Sequence, residues 1–234
     1  MKQILVMMVV VVLVVLVGCG TTKVSSNVPA KINDPIVEKA IREVLEKPEG
    51  ELTETDFEKV TFLGFFNTQI TNEGLKDLAK LNKLTFLDFF DIQITDEDLK
   101  EVAKLNKLAH LTLAYNRITD KGLKEVAKLE ELDELFLGFN QITDAGLKEV
   151  AKLQKLKNLK LSGIKITDAG LKDVAKLQKL EALDLSFNKI TDEGLKEVAK
   201  LQNLKLLYLT ETQITKAGIA ELKKALPNCV IAGP

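Results

Sequence analysis

An isoleucine returns every 24 residues along most of this chain: Ile70, Ile94, Ile118, Ile142, Ile166, Ile190 and Ile214. Self-similarity at a fixed period of this length marks a solenoid, in which each repeat is one strand–turn–helix unit stacked on its neighbours. The unit at 180–201 shows the physics. Leu180, Leu183 and Leu185 alternate with polar residues, the period-two pattern of a short strand. After the turn "SFNKI", Thr191 stands where a helix N-cap belongs, with Asp192 and Glu193 behind it to complement the positive helix end. Leu195, Val198, Ala199 and Leu201 then fall on one helical face. One such unit buries too little apolar surface to offset its own ordering, so the repeats must stack. Stacking builds long surfaces more readily than enclosed pockets.

The leucines of "LxxLxL", the asparagine of "NxI" and the recurring "ITDxGL" resemble the leucine-rich repeat family, with "ITDxGL" similar to its ribonuclease-inhibitor-like and cysteine-containing subclasses. The resemblance implies an α/β fold: a right-handed solenoid whose concave face is a parallel sheet of about seven or eight short strands, with helices on the convex side. Two departures stand out. The turn asparagine occurs only at Asn116, Asn140 and Asn188; Thr68 and Thr212 can partly substitute, whereas Ile92 and Ile164 cannot. Asp98 replaces the glycine found at Gly74, Gly122, Gly146, Gly170, Gly194 and Gly218. At the front end, Asp34-Pro35 begins a helix with an N-cap and a proline at the first helical position. The last strand is expected at Cys229 to Ile231.

The first residues are of another kind. Lys2 precedes an apolar run from Ile4 to Val17, shorter than the roughly 20 residues a membrane-spanning helix needs. "LVGC" (Leu16, Val17, Gly18, Cys19) resembles the lipobox of bacterial lipoprotein signals. That resemblance implies cleavage before Cys19, lipidation of its thiol and a stable membrane anchor. Gly20 in place of aspartate favours the outer membrane where the source has two membranes. The chain thus divides into a signal at 1–18, a flexible tether at 19–33, an N-terminal cap at 34–58 and the repeat domain at 59–234. With Cys19 lipidated, Cys229 has no intrachain partner and is expected as a small apolar residue.

No phosphate-binding glycine loop or zinc-type Cys/His spacing is present, so no cofactor and no catalytic residues are expected. Basic and acidic residues nearly cancel, 33 against 34, which argues against a nucleic-acid partner. Residues 24 apart become lateral neighbours about 5 Å away. His110 then lies between Phe86 and Glu134, with Asp88 and Thr112 near. Columns of lysine on the convex side alternate with a column of acids and read as a solvated, self-compensating face.

The aromatics carry more. Phe57, Phe65 and Phe89 fall at inward or cap positions, while Phe62, Phe66, Phe86, Phe90, Tyr115, Phe136, Phe139, Phe187 and Tyr208 fall on the concave face or its rim. Tyr115, Phe139 and Phe187 precede the turn residue, where packing can explain them. The expected ligand-binding set is Phe62, Phe66, Phe86, Asp88, Phe90, Asp91, His110, Glu134, Phe136 and Tyr208. The alternative for Phe62, Phe66, Phe86 and Phe90 is that the N-terminal cap or the linker folds over them. The expectation is a monomeric, non-catalytic, membrane-anchored module in the cell envelope that binds a protein or a glycan. The alternative is a spacer lipoprotein with no specific ligand.

Overall fold

The structure, a computed structural model, describes residues 28–233; the expected signal, Cys19 and the tether through residue 27 lie outside the described residues. Eight strands are found among the described residues: β1 (Phe62–Phe66), β2 (Phe86–Phe90), β3 (His110–Thr112), β4 (Glu134–Phe136), β5 (Asn158–Lys160), β6 (Ala182–Asp184), β7 (Leu206–Tyr208) and β8 (Val230–Ala232). They form one parallel sheet in chain order, and the register advances by one repeat at each step. Leu63 pairs with Leu87, Leu87 with Leu111, and so on to Leu207 with Ile231. The inward leucines of the strands, the recurring isoleucines and the helical leucines and valines form one continuous core. The fold is a leucine-rich repeat solenoid, with the sheet on its concave side. The last strand starts one residue later than expected, with the buried Cys229 just before it.

The convex helices are short. Four of them, α4 (Leu99–Val102), α5 (Leu123–Val126), α6 (Leu147–Val150) and α7 (Leu171–Val174), have a single turn and no side-chain cap. Thr191 does cap α8 (Asp192–Val198), accepting from Glu193 N. Lysines on this side pair with acids three residues earlier, as in Lys104–Glu101, Lys128–Glu125 and Lys152–Glu149, each at 2.6 Å. Exposed pairs of this kind add little stability. They neutralise the face.

The "ITDxGL" element has a structural cause. Each threonine is held by the aspartate of the preceding repeat: Thr119 N and Oγ1 donate to Asp96 at 2.8 and 2.6 Å, and Thr143 does the same to Asp120. That aspartate packs against the next glycine. A Cβ on Gly122 would stand 2.5 Å from Asp96 Oδ1 and 2.8 Å from Leu99 Cδ1. Gly122→Ala is expected to lower stability by about 2–3 kcal/mol through this overlap. The added loss should shrink in an Asp96→Ala background, and urea unfolding of the four-member cycle checks it. Across the first and second repeats two departures offset each other. Asn72 stands where the next five repeats carry the aspartate, and Asp98 stands where the other repeats carry glycine. Thr95 N and Oγ1 bond Asp98 Oδ2 instead, at 2.8 and 2.7 Å.

Turn asparagines stitch the repeats together on the other side of the sheet. Asn140 Nδ2 donates to Leu113 O at 2.7 Å and Leu137 O at 3.0 Å, and its Oδ1 accepts from Ile118 N at 2.9 Å. Asn116 is bonded in the same manner and takes both Ile92 N and Ile94 N. Asn188 differs: its Oδ1 is buried without a partner, in the repeat that follows Ile164. Ile92 and Ile164 are buried, so they fill the turn with apolar volume where asparagine would bond.

The cap continues the repeat chemistry with different residues. Helix α1 (Pro35–Val44) is capped by Asp34, whose Oδ1 accepts from Ile36 N and Val37 N at 2.8 and 3.2 Å. The other oxygen of Asp34 accepts from Thr71 N and Oγ1 at 3.2 and 2.6 Å, so the cap supplies the aspartate that Thr71 lacks in a preceding repeat. Asp77 is fully buried in α3 (Asn72–Leu78) and accepts from Asn33 N, Asp34 N and Lys80. The expected boundary between tether and cap requires correction. Pro29 bridges Thr53, Ala30 N donates to Leu52 O, and Ile32 is buried. The chain from residue 28 to 33 is therefore folded against the cap, because its apolar side chains and backbone donors find partners there.

Candidate functional site

Because the sheet is parallel and in register, every outward position of one strand lies beside the same position of the next. The first outward column runs Phe62, Phe86, His110, Glu134, Asn158, Ala182 and Leu206. The second runs Gly64, Asp88, Thr112, Phe136, Lys160, Asp184 and Tyr208. Beyond them Phe66 and Phe90 pair at the strand ends.

The four phenylalanines of β1 and β2 form two tilted pairs, with ring centroids 4.9 Å apart for Phe62–Phe86 and 6.5 Å for Phe66–Phe90. Phe62 is 47 % exposed, Phe66 60 % and Phe90 39 %, so among the described residues nothing folds over the block. The cap packs against the end of the sheet through α1 and leaves this face open. Inward Phe65 and Phe89 are buried, as the alternation requires.

His110 continues the first column. Its ring stacks on Phe86 at 3.9 Å with an interplanar angle of 4°. Nδ1 donates to Glu134 Oε2 at 2.6 Å, and Nε2 lies 3.1 Å from Thr112 Oγ1. Glu134 in turn accepts from Asn158 Nδ2 at 2.7 Å. With both ring nitrogens engaged, His110 is held as a fixed element of the surface, and no lone pair is aimed at an incoming group. No cluster of three metal-ligating side chains exists among the described residues.

Asp88 is in a different position from Glu134. Its Oδ1 is buried and has no hydrogen-bond partner. Burial pushes its carboxyl above the usual range, and nearby His110 only partly opposes the shift. A group whose folded pKa is raised favours folding below the unfolded value and opposes it as pH rises through the folded one. Asp88→Asn is therefore expected to raise the melting temperature at pH 7 by about 2–4 °C, the effect of roughly 1 kcal/mol in a domain of this size. The gain should disappear near pH 3; a variant no more stable at pH 7 would show that Asp88 is at ease where it lies.

Lys160 places its ammonium 4.0 Å over the Phe136 ring. Below it the first column shrinks to Ala182, and a groove opens between Phe136, Lys160, Asp184 and Tyr208. Of the expected set, Phe62, Phe66, Phe86, Asp88 and Phe90 are adjacent, with Asp91 just past the strand. His110, Glu134 and Phe136 adjoin them. Tyr208 lies on β7, apart from the block and on the groove.

A third element is a rim row, of which the sequence pattern indicated only the aromatics Tyr115, Phe139 and Phe187. Asn67, Asp91, Tyr115, Phe139, Gly163, Phe187 and Glu211 are one repeat apart, and all have positive φ between 47 and 63°. This left-handed backbone throws the side chain outward to the rim. Tyr115 stacks on Phe139 at 4.4 Å, Phe90 reaches Tyr115 at 5.0 Å, and Phe187 lies 6.2 Å from Phe139. Gly163 makes room in this row: a Cβ there would stand 2.5 Å from the Phe139 ring. The three aromatics that precede the turn residue are exposed, so they extend the aromatic face along the rim. The signal available in the sequence was the presence of Asn, Asp and Gly at three of these seven positions, residues that tolerate this backbone.

A family model described as Leucine Rich repeat matches residues 104–127, 128–151 and 176–199. Among solved structures, internalin C2 from Listeria monocytogenes is 29 % identical with a TM-score of 0.64, covering 90 % of this chain and 99 % of that one. A leucine-rich repeat protein of Leptospira interrogans is 25 % identical with a TM-score of 0.52 over 75 % of this chain. This chain spans about half, 49 %, of that protein. No curated protein matches the sequence. Among the described residues no helix is long and apolar enough to cross a membrane.

Proposed function

We propose that this leucine-rich repeat solenoid is a non-catalytic protein-binding module that works through its concave face and is held to a membrane by a lipid on Cys19. The observation that carries the binding reading is the contiguous aromatic face: Phe62, Phe66 and Phe90 are exposed together, next to Phe86 and His110. Water-facing rings gathered in one patch are costly to leave uncovered and mark contact surfaces. Flanking Asp88, Asp91, His110 and Glu134 orient the partner, and Phe136 and Tyr208 extend the contact along the sheet. Solenoids of this kind are commonly binding scaffolds with extended concave surfaces. The lipobox-like "LVGC" supports an anchor in the cell envelope, with the outer membrane favoured where two membranes exist.

Capture from envelope extract tests the reading, with full-length protein in detergent as bait beside a variant carrying serine at positions 62, 66, 86 and 90. The two baits must show matching circular dichroism. A protein partner is expected to bind the unmodified chain and to lose at least roughly tenfold in affinity with the variant. Capture of nothing by either bait would favour the spacer reading. Mass spectrometry of the membrane-extracted chain is expected to show a mature N-terminus at Cys19 carrying acyl mass.

A further inference from the structure

Asp88 lies in the middle of β2, between Phe86 and Phe90 along the strand, with Gly64 and Thr112 beside it in register. Gly64 contributes no side chain, and the space a Cβ would fill is bordered by Phe66 at 3.0 Å and Phe62 at 3.7 Å. The carboxylate is thus set among four phenylalanines. Its Oδ1 is buried and unpartnered. Other carboxylates of the face are served: Glu134 accepts from His110 and Asn158, and Asp184 from Ser186 N. No hydrogen bond or ion pair reaches the Asp88 carboxylate among the described residues.

We propose that Asp88 and the four phenylalanines around it receive the guanidinium of an arginine side chain on the protein partner. The proposal rests on the concave-face binding reading and deepens it. A part-buried carboxylate with no hydrogen-bond partner calls for a donor that also carries positive charge, and Oδ2, which is not sealed in as Oδ1 is, is the oxygen a partner reaches. A quaternary ammonium has the charge and lacks the N–H. A neutral amide has the N–H and lacks the charge. The walls fit a cation as well, since phenylalanine faces attract positive charge. The same sheet already holds one such pair, Lys160 over Phe136. Between the two cationic side chains, the guanidinium is planar, weakly hydrated and forked, so it can lie against a ring while it bonds a carboxylate; an ammonium keeps more of its water. Asp91, one residue past Phe90 and exposed, offers a second carboxylate for the remaining donors.

Titration calorimetry on the full-length protein in detergent tests this with three capped tripeptides: triarginine, trilysine and tricitrulline, the last matching arginine in shape without its charge. Saturable binding of triarginine, little or none of tricitrulline, and weaker binding of trilysine are expected. Asp88→Asn should weaken triarginine by roughly tenfold or more, while Asp184→Asn on the same face leaves it unchanged. No binding by the unmodified protein, equal binding by Asp88→Asn, or trilysine as tight as triarginine would each overturn the assignment. The two readings separate cleanly. A captured partner that is lost with the four serines and kept with Asp88→Asn preserves the binding face and removes the arginine. Loss of capture in neither variant removes both.

Discussion

Asn140→Ala is expected to cost about 3–5 kcal/mol, a large loss for the truncation of one polar side chain. The side chain bonds two buried carbonyls, Leu113 O and Leu137 O, and one buried amide, Ile118 N. These groups belong to two successive repeats, so the change orphans backbone on both sides of an interface that holds the stack together. Each buried group left without a partner costs roughly 1–3 kcal/mol, less what entering water restores. Asn188→Ala should cost less, because Asn188 Oδ1 makes no bond to lose. Urea unfolding compares the two. Hydrogen exchange should show lost protection centred on Ile118, because a solenoid communicates mainly between neighbouring repeats. A cost below about 1 kcal/mol would mean the turn relaxes to satisfy its own backbone.

Asp34→Ala is the second large effect, expected near 3 kcal/mol at pH 7, since it removes both the N-cap of α1 and the tie to Thr71. Its pH dependence has a definite sign. Burial pushes the Asp34 carboxyl up, but hydrogen bonds from Thr71, Val37 and Ile36 outweigh it, and the net shift is downward. A lowered folded pKa contributes stability that is present above the unfolded value, about 3.9, and is lost as pH falls through the folded one. The gap between the unmodified protein and the variant should therefore narrow in acid. Asp77 shifts downward too: its burial is overcome by hydrogen bonds from Lys80, Asp34 N and Asn33 N. Asp56, held low mainly by Lys47 with help from Lys59 and Thr53, belongs to the same end. Acid unfolding is thus expected to start at the cap. Circular dichroism across pH 2–5, with exchange measured at α1, checks this; a cap that outlasts the central repeats at low pH would sink it.

Much of the site could be placed by adding 24 to a residue number, because a parallel in-register sheet turns sequence period into lateral contact. His110 was put between Phe86 and Glu134 in this way, and the strands hold them there. The four-phenylalanine block followed from the matched strands "TFLGFF" and "TFLDFF". What escaped was whatever leaves the period or depends on a side chain's direction. Asp34 serves Thr71 across 37 positions, in a segment with no repeat to compare it with. The unmet oxygen of Asp88 depends on where every neighbouring donor points; Lys160 turns to Phe136, not to a carboxylate. That Asn67, Gly163 and Glu211 share a rim row with Tyr115, Phe139 and Phe187 escaped, because the row is united by backbone conformation while its side chains differ. The paired departures Asn72 and Asp98 were visible as two oddities. Only the hydrogen bonds of Thr95 show that one compensates the other.

The threonine–aspartate tie also bears on how such a chain can change length. Each repeat from Asp120 to Asp192 offers a carboxylate forward and a threonine backward, so its two faces are complementary to copies of itself. Unequal crossing-over that adds or deletes one whole 24-residue block within this stretch leaves every tie made and every glycine beside its aspartate. A block carrying Asn72 lacks the forward carboxylate, and placed mid-stack it would leave the next threonine unserved. The central repeats are therefore the natural site of copy-number variation among relatives of this chain, and the cap-proximal ones are fixed in place.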